Sequence, residues 1–342
     1  MLCYFLSKKD LTILNCVEVN SYTIAQNIDC GGKSKLIIAE DPKAENEDFV
    51  ILKNGKDIIF KGIIENIDKN QGERLRTLSC LEIERLFDQK IFLSDTEIIK
   101  NEGLEDFIAA MIQKYFAATG DSFVDMPYIK CNVLTHTKVN SKPSVEDEVY
   151  NLKTYIGNIK EQYGIFLDFD FTKTKLNISI QKKQQESMQI DTTLTDVSNC
   201  KETLEIKALG KLNVKWTNLI TEETTMRYFY LHSNRTVSEE NKDRIDGTVS
   251  SLYIASETEE EMLEAVTDEF RSNSYSHLIE ADIFIGSKIY PLKELYVGHE
   301  VTVKTESSKK ASIISGVSYS SDNNVISIKF GNLKVTLTDK IK

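Results

Sequence analysis

The alternation of apolar and polar residues from Ala281 to Lys342 constrains the fold more than any other stretch. Val301 and Val303 share one face of a short strand opened by Gly298, and Ile313, Val317 and Tyr319 share a face of the next. Asp322-Asn323-Asn324 supplies residues that tolerate a tight turn. Ile326, Ile328 and Phe330 then alternate with Val325, Ser327 and Lys329. Gly331 breaks that strand, and Leu333, Val335 and Leu337 begin another alternation. A period of two with turn residues between the runs predicts an antiparallel meander, one wall of a small barrel or sandwich.

The first part of the chain, Met1 to Leu93, also reads as strand after strand. Leu11, Ile13, Val17 and Val19 alternate with polar partners. Phe49 to Leu52 leads into Asn54-Gly55, a strong hairpin signal, and Ile58 to Phe60 returns. Gly62 to Ile67 runs to a polar tip at Asp68 to Gly72, and Arg74 to Leu78 runs back.

Between Ser94 and about Thr193 the period becomes helical. Leu104, Phe107, Ile108, Met111 and Tyr115 form one stripe, with Gly120 as a stop. Pro143-Ser144 precedes a second stripe, Val145, Val149, Leu152, Ile156, Ile159 and Tyr163. Ser144 is placed to cap with Asp147, and Gly164 ends the helix. Ile165 to Phe171 and Leu176 to Ile180 read as a hairpin. The segment is expected to be a compact α+β unit that folds on its own and packs outside the ring that the β-modules would form.

Strands resume at Leu204 and Ile206, at Leu212, Val214 and Trp216, and from Met226 to Leu231. Ser233 to Gly247 reads as an exposed loop. Ser256-Glu257-Thr258-Glu259 reads as a capping box opening a third helix with Met262, Leu263, Val266 and Phe270 inward. The expected fold is mainly β with α+β insertions: two antiparallel barrels and two accessory domains. Residues 1–93, with strands from about 195–220, make the first barrel, and 94–194 the α+β insertion. Residues 221–342 make the second barrel, with a loop-helix segment at about 233–275.

A length of 342 residues exceeds what one core usually fills. The net charge of −11 argues against a surface that grips nucleic acid or anionic membranes, and leaves room for one past which DNA slides. No apolar run approaches the ~20 residues of a membrane span. Met1 to Leu6 is too short for a signal sequence and lacks a basic flank. The six cysteines have no metal or redox spacing, which fits reduced thiols in a protein made in the cytoplasm.

The candidates for chemistry weigh little against structural roles. Cys30-Gly31-Gly32-Lys33-Ser34 resembles the tail of a phosphate-binding loop. However, Asn27 stands where a glycine is needed, and Leu36-Ile37-Ile38 is a strand where a helix N-terminus is required. A hairpin turn is the better reading. Asp168 and Asp170 share a strand face and are the carboxylates most able to support glycosidic chemistry or calcium. No third acid or glycine loop follows, and Lys173 and Lys175 favour charge pairing. His136, His232, His277 and His299 are scattered, without zinc or nucleophile spacing. Trp216 and the tyrosines suit core or interface as well as a sugar platform. The acids Glu257 to Glu261 suit the first turn of a helix. Catalytic, cofactor-binding and metal residues are therefore assigned to none of these positions, and no cofactor is expected.

One internal echo stands out. Gly62-Ile63-Ile64-Glu65-Asn66-Ile67, a tip and an alternating strand resemble Ser315 to Tyr319, their Asp-Asn tip and Val325 to Phe330. Two related β-modules would leave such a trace. Further residues carry a family resemblance: Leu212-Asn213-Val214, Arg227 to Ser233, the helix Glu259 to Phe270, Pro291 to Val301, and Phe330 to Thr338. Together these resemble the baseplate central hub family of phage tails, in the versions of contractile-tailed prophages and R-type bacteriocins.

The resemblance implies two tube-like barrels and two accessory domains per chain. It also implies a homotrimeric ring of pseudo-sixfold symmetry, bridging a hexameric tail tube protein and a trimeric central spike protein. Tape-measure and baseplate wedge proteins are further expected partners, with DNA only as passing cargo. Synthesis is expected in the bacterial cytoplasm, with assembly into the tail of a phage or phage-like particle. Some relatives continue into a peptidase or fibre region; the pattern here stops shortly after its last strand, which favours a separate spike and no enzyme activity. The competing readings are a glycan-binding tail module and a glycan-cleaving enzyme built on Asp168 and Asp170.

Overall fold

The computed structural model describes residues 1–69, 74–92, 103–138, 149–183, 188–204, 208–233, 236–272, 277–306 and 308–331. The first six strands are β1 (Leu2–Leu6), β2 (Ile13–Asn27), β3 (Lys33–Ile38), β4 (Phe49–Asn54), β5 (Asp57–Asp68) and β6 (Arg76–Glu82). They pair in the order β1-β4-β5-β6-β3-β2, and β1 also pairs with β2, closing a barrel. Cys3, Phe5, Val19, Leu36, Leu52, Ile64 and Leu78 fill its interior. Asn54 pairs with Asp57, so Gly55 and Lys56 form the two-residue turn, with Gly55 at φ +61° as such turns require.

The run Phe49-Val50-Ile51-Leu52 is buried throughout because β4 has apolar neighbours on both faces. Val50 and Leu52 point into the barrel, whereas Phe49 and Ile51 join a second core outside it. That outer core belongs to the first insertion: β7 (Lys90–Phe92), α1 (Leu104–Ile112), β8 (Ile129–Val133), β9 (Val149–Asn151), α2 (Leu152–Tyr163), β10 (Ile165–Phe171) and β11 (Leu176–Lys182). Phe87, Phe107, Ile156, Leu167 and Ile178 pack in one cluster with Leu6, Leu11, Phe49 and Ile63 of the barrel. The insertion lies on the outside of the first barrel and shares a core with it.

The second helix starts later than the sequence reading has it. Val149 is in β9, paired with Phe92 of β7, and Asn151 caps α2 by accepting from the Thr154 N–H at 3.1 Å. The expected Ser144 cap lies outside the described residues. Gly164 ends the helix as expected, at φ +66°.

After the insertion come β12 (Met188–Asp191) and β13 (Val197–Leu204). A second insertion follows: β14 (Leu209–Asn218), β15 (Thr224–Leu231), β16 (Val237–Ser238), β17 (Thr248–Ser256) and α3 (Glu259–Ser272). Its sheet, ordered β16-β15-β14-β17, packs Leu212, Val214, Phe229 and Ile254 against Met262, Val266 and Phe270 of the helix. Leu263, expected inward, is exposed. The capping box sits two residues later than read: Thr258 accepts from the Glu261 N–H at 3.3 Å, and Glu261 accepts from the Thr258 N–H at 3.4 Å.

The last strands are β18 (His277–Phe284), β19 (Glu300–Lys304), β20 (Lys309–Ser320) and β21 (Val325–Phe330). With β12 and β13 they are ordered β12-β19-β20-β21-β18-β13 around Val303, Ile313, Ile328 and Phe330. The strand expected at Leu333 to Leu337 lies outside the described residues. The strands at 195–220 do not join the first barrel as expected. That barrel is already closed by β1 on β2, so β13 pairs with β18 and β14 joins the inserted sheet. The accessory segment is accordingly larger than 233–275.

Candidate functional site

The two barrels are joined edge to edge. β2 is long enough to carry β1 on its first half and β20 on its last, where Thr23, Ile24, Ala25, Gln26 and Asn27 face Ser320, Tyr319, Ser318, Val317 and Gly316. Side chains reinforce this seam. The Tyr319 hydroxyl donates to the Ile59 carbonyl at 2.9 Å, and its ring meets Tyr22 edge-on at 6.4 Å. The Ile28 and Ser321 N–H groups extend the ladder to Ser315 and Tyr22.

Beside the seam lies a buried polar cluster. Cys30-Gly31-Gly32-Lys33-Ser34 runs from the β2–β3 turn into β3, as the hairpin reading has it. The Glu82 carboxylate accepts from the Asn27 and Gly32 N–H groups at 3.0 and 2.8 Å. A Cβ on Gly32 would sit 2.3 Å from the Ala25 carbonyl, so the close approach requires glycine. From α2, the buried Lys160 ammonium donates to Glu84 at 3.2 Å and approaches the Cys30 sulfur at 3.5 Å. Burial, with the neighbouring Glu84 charge, pushes the Glu82 carboxyl up to about 8. Burial pulls Lys160 down, yet Glu84, Cys30 and Glu82 outweigh it and leave its pKa raised. One cation thus serves two acids, pairing with Glu84 while Glu82 retains its proton at neutral pH.

The same helix region reaches the other modules. Tyr163 donates to Asp268 of α3 at 2.8 Å, and Phe166 meets Tyr296 edge-on at 5.8 Å. Tyr296 stacks on His299 at 4.8 Å, with the Lys183 ammonium over Phe166 and Tyr296. Gly298, at φ +90°, lets the Phe166 ring approach to within 2.8 Å of where a Cβ would stand. The first insertion therefore fastens both barrels and the second insertion together.

Sequence reading missed Lys160, Glu82 and Glu84. A signal was present: Glu82 continues the inward alternation of Leu78 and Cys80, and Lys160 adjoins Ile156, Ile159 and Tyr163 on the buried side of α2.

The outer face of the inserted sheet exposes Met226, Tyr228, Val249 and Tyr253. The Lys211 ammonium lies over the rings of Tyr228 and Tyr230 at 4.8 and 5.8 Å. Trp216 turns inward instead and donates to Ser256 at 2.9 Å.

Of the two carboxylates on β10, Asp168 is held by neighbours and Asp170 is exposed. Asp168 accepts from Gln181 and Lys183, both at 2.9 Å, so the pairing cation is Lys183 in place of the expected Lys173 or Lys175. His136 meets Asp106, His232 meets Ser238, His277 meets Ser312 and His299 meets the Glu294 carbonyl, with no two histidines brought together. Among the described residues no group of three or more His, Cys, Asp or Glu is arranged to hold a metal. The six cysteines are free, and burial pushes the Cys30 and Cys80 thiols up to about 12. No helix of the described residues is long and apolar enough to cross a membrane.

Several solved tail proteins share this fold. A prophage tail protein from Listeria monocytogenes EGD-e matches at TM-score 0.57 and 9% identity, over 100% of this chain and 97% of that one. The tail protein of prophage MuSo2 from Shewanella oneidensis matches at TM-score 0.55 and 15% identity, over 97% and 98%. A tail protein from Neisseria meningitidis MC58 matches at TM-score 0.51 and 8% identity, over 96% of each chain. No protein-family model and no curated protein matches the sequence. The chain thus has the β-rich fold of phage tail proteins along nearly its whole length.

Proposed function

We propose that this protein is the structural hub of a phage-like tail baseplate. Three copies place six barrels around a passage and adapt a hexameric tail tube to a trimeric central spike. The observation that carries the reading is the duplication: two six-stranded modules of matching strand order, joined edge to edge in one chain. A trimer of such chains offers quasi-sixfold contacts to one partner and threefold contacts to another. The tail-protein fold supports this reading. Tape-measure and wedge proteins are further partners of a hub, and DNA crosses only as cargo, past walls poor in lysine and arginine.

The exposed Tyr228 and Tyr253 favour one second reading, a glycan-binding tail module. Imaging of the purified chain with its tube and spike partners separates the two. Rings of three copies holding both partners are expected. One or six copies, or a channel lined by lysine and arginine, overturns the hub; a monomer that binds cell-wall glycan establishes the alternative.

A further inference from the structure

Each barrel has one strand that changes partner at a bulge. In β20, Lys309 to Ile313 pair with β19; beyond the bulge at Ser315, Gly316 to Ser320 pair with β2. In β5, Asp57 to Ile63 pair with β4; beyond the bulge at Glu65, Asn66 to Asp68 pair only with β6 among the described residues. Aligning the bulges sets Ile64 on Ile314 and Asn66 on Gly316, which corrects by four residues the alignment read from the sequence. The far half of β5 is then the counterpart of the stretch by which β20 holds β2.

The other half of the seam also has a counterpart. Val19 of β2 faces Ile38, as Val197 of β13 faces Ile283, and both strands bulge just beyond. Continuing along both strands sets Ala25 on Thr203. Among the described residues β13 pairs only with β18, so its other edge is open.

We infer that β13 of one copy pairs antiparallel with the far half of β5 in the next copy, repeating the β2–β20 register and resting on the hub reading above. Thr203 then faces Asp68, as Ala25 faces Ser318, and Glu202 faces Lys69, as Ile24 faces Tyr319. The contact is head to tail, and it closes a ring when the rotation it repeats, two barrels per copy, completes a full turn in three copies. Its chemistry differs from the β2–β20 seam in an instructive way. Ile24 and Tyr319 are apolar and meet within one folding chain. In the open edges, Lys69 lies opposite Glu202, whose carboxylate already accepts from Lys310 and Thr305 of its own chain, and the exposed Lys201 lies diagonal to Asp68, a complementary pair. Charged edges keep an unassembled copy from pairing indiscriminately.

Cross-linking decides it. Directly opposed antiparallel residues have Cα atoms about 4.5–5.5 Å apart, within disulfide reach. Thr203→Cys and Asp68→Cys are combined with Cys16→Ser and Cys200→Ser, which remove the exposed thiols. Mild oxidation is expected to give covalent dimers and a closed covalent trimer, and nothing larger. Ala25→Cys with Ser318→Cys in the same background closes within one chain and verifies the register. A trimer in solution in which the Thr203→Cys thiol does not link to the Asp68→Cys thiol overturns this seam and leaves the hub reading standing. A chain that remains monomeric at every concentration overturns both.

Discussion

The two barrels share a strand order and differ in how they close. In the first, β2 begins six residues before its pairing with β3, and that overhang receives β1 in antiparallel register. In the second, the turn after β12 occupies the corresponding positions, and among the described residues β12 pairs parallel with β19 and not with β13. The connection between second and third strands diverges as well. It is a short turn folded over Glu82 in the first barrel and the whole second insertion in the other. Interior positions were held alike, for example Leu78 and Ile328, while edges changed. Cores are fixed by packing, and edges by what each must meet.

This contrast is broken most forcefully at two equivalent positions, Val317 and Ile67. Val317 is buried at the internal seam, and Ile67 is half-buried on the open half of β5. Val317→Asp is expected to destabilise the folded chain by more than about 4 kcal/mol, since a carboxylate there has no partner. Ile67→Asp is expected to cost the single chain only about 1 kcal/mol and to abolish the trimer. Denaturant unfolding and solution mass read the two effects separately. Equal destabilisation by both variants would show that the far half of β5 is not an open edge in the single chain.

Much of this was legible in the sequence, for reasons particular residues show. Alternation along Val325 to Phe330 fixed a half-buried strand, and Gly164 fixed the end of α2. The fully apolar Phe49 to Leu52 hid which faces it served, because a strand buried on both sides has no period. The β9–α2 boundary was misread since Val149 falls in phase with the helical stripe although its backbone pairs with β7. Strand partners were the least legible part. Nothing local in Val197 to Leu204 says which barrel it completes; the answer depends on β1 having already closed the first. The buried cluster followed the same rule: Glu82 and Lys160 carry charges at apolar positions, and each reveals its role only when the other is in place.

A gentler test sharpens the same contrast through that cluster, which only the first barrel's short turn possesses. Glu82 has a folded-state value of about 8 against an ordinary 4.5. The folded protein therefore holds a proton that the unfolded chain releases, and stability falls as pH rises from about 4.5 to about 8. Below that window both states are protonated and the penalty is absent. Glu82→Gln keeps an oxygen to accept from Asn27 and Gly32 and has no proton to lose. Its melting temperature is expected to be flatter than that of the parent across this range, with the largest gain at the alkaline end. A variant whose pH profile parallels the parent's would show that Glu82 ionises freely within the fold.

The smallest effect is expected where sequence reading placed its only paired carboxylates. Asp168 is about half exposed and holds Lys183 across the β10–β11 hairpin, away from the β2–β20 seam and from both open edges. An ion pair with this much solvent access contributes roughly 0–1 kcal/mol, because water and salt screen both partners. Lys183 also lies over the Phe166 and Tyr296 rings, so its ammonium keeps favourable contacts when the carboxylate is removed. Asp168→Asn combined with Asp170→Asn should therefore shift stability by less than about 1 kcal/mol and leave the copy number of the assembly unchanged. Measuring polysaccharide and cell-wall hydrolysis alongside gives the comparison its control, with no activity expected in parent or variant. Hydrolysis by the parent that disappears in the double variant would return Asp168 and Asp170 to the status of catalytic residues and displace a purely structural hub.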